Sequence, residues 1–130
     1  MKKKVWRLTV RDEFCAGHAL RNYNGKCENM HGHNFAVEVI VQGEKLHPNI
    51  EYLIDFKEIK NILKKVLEEL DHCILNETSP FNKINPTSEN LAQFIWKEMD
   101  KVLSKEIVKI YSVSISEKAA QTATYLEIEV

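Results

Sequence analysis

Residues 31 to 41 run His31-Gly32-His33-Asn34-Phe35-Ala36-Val37-Glu38-Val39-Ile40-Val41. Apolar residues recur here at every second position and many are β-branched, which predicts a strand. Side chains two positions apart in a strand point to the same side, so His31 and His33 share a face if the strand geometry begins early enough. Two imidazoles on a rigid strand can bind a transition metal. On this pair alone, the alternative that both histidines only form hydrogen bonds stays open.

A third histidine follows an earlier strand-like stretch. Residues 4–14 alternate apolar and polar side chains and predict the first strand. His18 comes next, at the end of Phe14-Cys15-Ala16-Gly17-His18, whose small residues allow a neighbouring strand to approach closely. The second strand is predicted at about 33–42. An antiparallel pair of these strands would place His18 near the other two histidines, which favours a metal site.

The composition is typical of a soluble protein with a single domain, 1–130. Hydrophobic residues make up 44% and charged residues 28% of the 130 residues. The net charge of -1 gives no general attraction for nucleic acid or acidic membranes. No apolar run approaches the ~20 residues of a membrane span, and no signal peptide is visible. Three cysteines without a Cys-x-x-Cys motif favour a reducing compartment, so we expect a cytoplasmic protein.

Two helices are predicted in the middle of the chain. Asp55 and Glu58 match a capping box at the start of the first helix. Thr87 is the expected N-cap of the second helix. Two further strands are predicted at about 107–116 and 123–130. The order ββααββ predicts an antiparallel α+β domain, a four-stranded sheet with both helices on one face.

Two more polar features stand out. Asp71-His72 comes at the end of the first helix, where a histidine can offset the helix dipole. The alternative is a pair in which the Asp71 carboxylate orients the imidazole. The residues alone favour the dipole role, because neighbours on a helix do not face each other. Glu117 lies in line with the buried row of the third strand, and a carboxylate there needs a partner.

Together these motifs resemble the 6-pyruvoyl-tetrahydropterin synthase and 6-carboxy-tetrahydropterin synthase family along nearly the whole chain. The pieces that carry the resemblance are Phe14-Cys15-Ala16-Gly17-His18, Cys27 with three residues before His31-Gly32-His33, Ile54-Asp55-Phe56, Asp71-His72, Pro86-Thr87-Ser88-Glu89-Asn90 and Ser116-Glu117. Each piece is short, and all of them in this order form a specific signal. The resemblance implies the tunnelling fold, in which ββααββ subunits close a barrel and two barrels stack into a homohexamer. Active sites then lie at subunit interfaces.

The resemblance also implies a zinc ion and a catalytic thiol. The zinc-binding histidines of the family match His18, His31 and His33. Cys27 matches a cysteine that moves protons. Glu28 resembles a glutamate that replaces this cysteine in a subgroup making 6-hydroxymethyl-dihydropterin; the alternative is a solvent-facing loop residue. Adjacent side chains in an extended segment point in opposite directions, so we expect separable roles for the two.

Further roles follow from the same resemblance. Asp71 and His72 match a catalytic carboxylate-histidine pair, which reverses the preference for the dipole role. Glu117 matches a residue that anchors the pterin ring, and Thr87 lies in a motif expected to contact substrate. The sequence does not define the contacts to a triphosphate, for which Arg21 and Lys26 are candidates only.

The first activity that the resemblance implies is that of a carbon-carbon lyase. It converts 7,8-dihydroneopterin triphosphate to 6-carboxy-5,6,7,8-tetrahydropterin, a queuosine precursor, and releases acetaldehyde and triphosphate. Cleavage to 6-hydroxymethyl-7,8-dihydropterin for folate synthesis stays open, as does 6-pyruvoyl-tetrahydropterin synthase activity. A non-catalytic, zinc-stabilised binding module is the alternative outside enzymes. In such a module Cys27 would be the fourth protein ligand, as closed structural zinc sites require.

Overall fold

The computed structural model describes all 130 residues except the side chain of Cys27. Its main elements are β1 (Trp6–His18), β2 (His31–Gly43), α1 (Phe56–Glu68), α2 (Ser88–Val102), β3 (Lys109–Lys118) and β4 (Gln121–Tyr125). Short 3-10 turns lie at Lys26–Glu28 and Leu75–Glu77. Within the described residues, the strands form one antiparallel sheet in the order β1-β2-β3-β4. The predicted ββααββ order and the α+β class are confirmed.

The sheet has an apolar face and a polar face. On β2 the odd-numbered side chains from Phe35 to Val41 are buried against the helices. Glu38 lies on the other face, where Arg11 Nε donates to its carboxylate at 2.9 Å. Hydroxyl groups continue that polar face on the next strands, as in the 2.7 Å contact of Ser114 with Thr124. The histidines of β2 have the parity of the buried row and therefore face the core side of the sheet.

Both helices begin at the predicted N-caps and pack on the apolar face. Thr87 Oγ1 accepts from the Asn90 N–H at 3.1 Å, and Asp55 Oδ1 accepts from the Lys57 N–H at 2.9 Å. Asp55 thus bonds to the second helical residue instead of the third, which a capping box requires. The largest fully buried side chains of the core are Phe35, Phe81, Ile59, Leu63, Leu70, Leu75, Leu91, Ile95, Met99 and Ile115. In the described chain, no helix is long and apolar enough to cross a membrane.

The strand ends differ from the predicted bounds. β1 was predicted to end at 14 and β2 to begin at 33, but the two strands stay paired as far as His18 and His31. Gly17 pairs with Gly32 within this extension, so the pairing continues through two residues that have no side chain. At the other end, β4 stops at Tyr125 instead of 130. All three histidines therefore lie in strands, which gives them fixed positions.

The outer edge of β1 is covered at one end. Residues 72–74 run beside it, and the Gly17 N–H donates to the Cys73 carbonyl at 3.0 Å. A parallel bridge joins Gly17 to Ile74. Among the described residues, positions 6–14 of β1 remain an open edge, and β4 forms the opposite edge of the sheet.

Candidate metal centre

Three histidines and one carboxylate meet at one end of the sheet. One ligand atom from each of them lies within 4.8 Å of the others, in the group His18, His31, His33 and Glu117. β1 supplies the first histidine, β2 supplies the next two, and β3 supplies the carboxylate. The ring centroids of His18 and His31 are 4.4 Å apart, and those of His31 and His33 are 4.8 Å apart. The structure thus brings the three predicted zinc ligands together.

Backbone carbonyls determine which nitrogen two of these imidazoles turn toward the cluster. His18 Nδ1 lies 2.7 Å from the Pro86 carbonyl, and His31 Nδ1 lies 2.7 Å from the Asn29 carbonyl. Since a carbonyl only accepts, each Nδ1 carries a proton and each neutral ring has its lone pair on Nε2. Both Nε2 atoms are buried and lack a hydrogen-bond partner among the side chains that the structure describes. A metal ion satisfies such atoms, so these residues fit a metal ion.

The fourth member of the cluster, Glu117, contacts two of the rings. Its Oε1 lies 3.3 Å from His18 Nε2, and its Oε2 lies 3.4 Å from His33 Nε2. The carboxylate in this row therefore faces the histidine cluster. Burial holds the pKa of His18 below its ordinary value, although the Pro86 carbonyl and Glu117 act in the opposite direction. The neutral imidazole that results is the form that binds metals.

Arg21 holds the loop that carries Pro86. Its guanidinium donates to three backbone carbonyls, those of Asn76 at 3.3 Å, Phe81 at 2.9 Å and Ile84 at 3.1 Å. The Arg21 N–H donates to Asn85 Oδ1 at 2.9 Å, and Asn85 Nδ2 donates back to the Arg21 carbonyl at 2.9 Å. The next residue, Pro86, orients His18. Arg21 therefore holds this loop in place, and its contact with a triphosphate stays a prediction.

Replacing Arg21 with Ala is expected to lower the free energy of unfolding by about 2–4 kcal/mol, because charged hydrogen bonds are lost and carbonyls are left unpaired. Arg21→Lys should recover little, since an ammonium group cannot reproduce the planar fork. Urea unfolding of the metal-free protein measures both changes. Lys26→Ala, at an exposed position, is the control and should stay within ~0.5 kcal/mol of the unaltered protein. Unchanged stability with a raised KM for a triphosphate substrate would contradict the loop-holding role and favour a contact between Arg21 and the phosphates.

Asp71 and His72 form a direct pair. α1 ends at Glu68, and His72 has a φ of 58°, so the two residues lie in a turn beyond the helix. Asp71 Oδ2 is 3.0 Å from His72 Nδ1, and Asp71 Oδ1 accepts from the Cys15 N–H at 2.9 Å. The bond from Cys15, with a smaller contribution from His72, lowers the pKa of Asp71 and keeps it charged. The pair lies outside the four-residue cluster, and the His72 side chain is 80% exposed.

The structure describes the other predicted site residues only in part. Cys27 belongs to the turn Lys26–Glu28, but its side chain lies outside what the structure describes. Glu28 is exposed in the same turn. Thr87 uses its hydroxyl oxygen to cap α2. The catalytic roles of Cys27 and Glu28 and the substrate contact of Thr87 stay predictions.

Nothing in the sequence pattern indicated the carbonyls that orient the histidines. Asn29 and Pro86 act through main-chain oxygen atoms, which every residue has. The one available signal was the position of Pro86, immediately before the N-cap of α2 and inside a motif already singled out.

Comparison with known proteins agrees with the fold. A model of the 6-pyruvoyl tetrahydropterin synthase family matches residues 7–127. A dihydroneopterin monophosphate aldolase of Pyrococcus furiosus is 36% identical over 111 residues, with 85% of this chain and 89% of the relative covered. A 6-carboxy-5,6,7,8-tetrahydropterin synthase of Aquifex aeolicus is 28% identical over an alignment of 160 residues, covering 94% and 98%. The solved structure of the Caenorhabditis elegans 6-pyruvoyl tetrahydropterin synthase has a TM-score of 0.85 and 26% identity, covering 98% of this chain and 99% of that chain. The chain therefore belongs to the 6-pyruvoyl tetrahydropterin synthase family and has its tunnelling fold.

Proposed function

We propose that the protein is a zinc-dependent carbon-carbon lyase. It would convert 7,8-dihydroneopterin triphosphate to 6-carboxy-5,6,7,8-tetrahydropterin and release acetaldehyde and triphosphate. The observation that carries the proposal is the convergence of His18 and His31, whose buried Nε2 atoms lack a partner among the described side chains, with His33. The family processes pterins, and the Aquifex aeolicus relative has the proposed activity in its name.

The three histidines His18, His31 and His33 are the proposed zinc ligands. Three protein nitrogens on a zinc ion leave a coordination position for a substrate oxygen. The bound ion would supply positive charge that stabilises the negative charge developing on the side-chain oxygens of the substrate.

The remaining chemistry is assigned to side chains of this chain. Cys27 is the proposed base for protons on the side-chain carbons, since a thiol with a pKa near ~8.5 becomes an effective base beside a cation. His72, oriented by the charged Asp71, would move protons on the hydroxyl side. Glu117 would accept from the ring N–H and the amino group of the pterin, a two-point contact that fixes the orientation of the ring.

The sites are proposed to be completed between the subunits of a homohexamer. In the single chain, His72 is largely exposed and lies apart from the histidine cluster. Residues 126–130 continue the apolar-polar alternation beyond β4, yet Ile128 is 75% exposed. Closure of the sheets into a barrel removes open strand edges and supplies a partner for such a segment.

We expect sedimentation at micromolar concentration to detect a hexamer. Ile128→Glu should shift the protein toward smaller species, because it places a charge in the segment proposed to pair with another chain. Val102→Glu is the matched control, since Val102 is also exposed but lies on α2, on the helical side of the sheet. A stable monomer of the unaltered protein would contradict the closed barrel.

Product identification tests the proposed reaction. The zinc-loaded protein is incubated with 7,8-dihydroneopterin triphosphate, and the products are identified by mass spectrometry. We expect 6-carboxy-5,6,7,8-tetrahydropterin together with acetaldehyde. Recovery of unchanged substrate from a protein that binds it would favour the zinc-stabilised binding module.

A second candidate is cleavage to 6-hydroxymethyl-7,8-dihydropterin. It is favoured by the Pyrococcus furiosus relative, which is named an aldolase for a dihydroneopterin phosphate. Glu28, exposed beside Cys27, is the carboxylate that this route would use. The same product analysis separates the two reactions, and detection of 6-pyruvoyl-tetrahydropterin would point to the third.

A further inference from the structure

We propose that Glu117 is itself a ligand of the metal when no substrate is bound. The substrate would then reach the metal by displacing a protein carboxylate. This inference rests on the metal centre proposed above but does not depend on which pterin product is formed.

The distances within the cluster suit shared coordination. Bonds of about 2.0–2.1 Å from a tetrahedral zinc ion put neighbouring ligand atoms roughly 3.3–3.4 Å apart. Glu117 oxygens lie 3.3 Å from His18 Nε2 and 3.4 Å from His33 Nε2. A hydrogen bond between a charged imidazole and a carboxylate would be shorter, about 2.7–2.9 Å. The carboxylate therefore lies at the separation expected of a fellow ligand.

The hydrogen bond that His18 makes through Nδ1 leads to the same conclusion. Its Nδ1–H donates to the Pro86 carbonyl, so in the neutral ring Nε2 offers a lone pair. That lone pair faces Glu117 Oε1, which also only accepts when the carboxylate is charged. Two acceptors facing each other repel unless a cation lies between them. A metal ion bound by both atoms removes the repulsion.

Among the described residues, no lysine or arginine forms an ion pair with Glu117. Its side chain is 22% exposed, and the groups found beside its carboxylate are the imidazoles of His18 and His33. A carboxylate so far removed from water needs compensation by positive charge. The metal would supply that charge in the free enzyme.

Coordination by Glu117 would couple the two ends of the substrate. While the carboxylate is on the metal, it occupies the position that a substrate oxygen needs. Once released, its oxygens are free to accept from the pterin ring, the role proposed for Glu117 above. Binding of the ring and opening of the metal would then be one event.

Cobalt substitution tests the proposal, because Co²⁺ reports its ligands by visible absorption whereas Zn²⁺ does not absorb. Metal-free unaltered protein, Glu117→Gln and Glu117→Asp are loaded with Co²⁺ and then titrated with azide. Glu117→Asp keeps the charge but shortens the side chain, so it separates coordination from general attraction. Glu106→Gln, which alters an exposed carboxylate in the loop between α2 and β3, is the control. Circular dichroism confirms that each variant is folded.

We expect the spectrum of the unaltered protein to be insensitive to azide at concentrations that change the spectra of both Glu117 variants. Glu117→Gln should also bind Co²⁺ at least ~10-fold more weakly. Neopterin, which carries the side-chain hydroxyls, should change the spectrum of the unaltered protein.

Some results would overturn the inference. Spectra and azide responses that are the same in the unaltered protein and both Glu117 variants would show that Glu117 acts by charge alone, even if affinity falls. If neopterin left the spectrum of the unaltered protein unchanged, displacement of Glu117 from the metal by the substrate would be refuted. Failure of the unaltered protein to bind Co²⁺ or Zn²⁺ would instead contradict the proposed metal centre. Failure of the Glu117 inference and failure of the metal centre are therefore distinguishable.

Discussion

A His33→Ala variant is expected to lose nearly all bound metal and to turn over substrate at least about 100-fold more slowly, while its fold and assembly persist. Loss of even an outer partner of a metal ligand costs about 10–100-fold, and His33 is proposed as a direct ligand. The fold should persist because His33 is half-buried at the end of β2, whereas the core consists of apolar residues farther along the sheet. The variant should therefore lose bound metal while keeping nearly all of its stability.

Elemental analysis, turnover and sedimentation of the purified variant measure these changes. His47→Ala is the matched control, since His47 is an exposed loop histidine whose Nδ1 accepts from the backbone at Asn49 and Ile50. It should retain metal and turnover. Unfolding of the metal-free protein under mild conditions would show that the metal is structural, and full metal content in His33→Ala would refute the ligand set.

Cys27→Ala is expected to abolish formation of 6-carboxy-5,6,7,8-tetrahydropterin, with a loss of roughly 10²–10⁴-fold, the usual contribution of a positioned base. Glu28→Ala should spare that product and remove any 6-hydroxymethyl-7,8-dihydropterin. Different effects of the two substitutions on the products would show that the two residues have separable roles.

Product analysis of both variants beside the unaltered protein decides between these roles, with metal content determined in each. Metal content should be unchanged, since neither residue belongs to the proposed ligand set. Full turnover to the carboxy product by Cys27→Ala would show that the lead mechanism is wrong. If Glu28→Ala alters neither product, Glu28 is a solvent-facing loop residue, as its exposure in the single chain allows.

The strands and the histidine cluster could be predicted from the sequence because side chains repeat with a period of two along a strand. That period placed His31 and His33 on one face and Glu117 in a buried row, and the structure brings them together. It could not show that β1 and β2 stay paired to His18, since Gly17 and Gly32 carry no side chain to continue the pattern.

The loop contacts around the site were not predictable in the same way. Arg21 was a candidate for a triphosphate because the sequence shows a charge but not the backbone carbonyls that it meets. The contact of Asp71 with His72 required the helix to end before both residues, and helix ends are hard to place from periodicity alone. Contacts of these kinds depend on the path of the main chain in three dimensions.

The short pairing of residues 72–74 with β1 also limits how another chain can join this sheet. It uses the Gly17 N–H on the outer edge, so an incoming strand can run along residues 6–14 and has to stop before the histidines. A stop of this kind sets the register of the neighbour through the main chain, where a slip of one residue would turn every side chain to the wrong face. In the proposed hexamer, the offset between one subunit and the proposed metal centre of the next would then be a fixed length, which surface substitutions would leave unchanged.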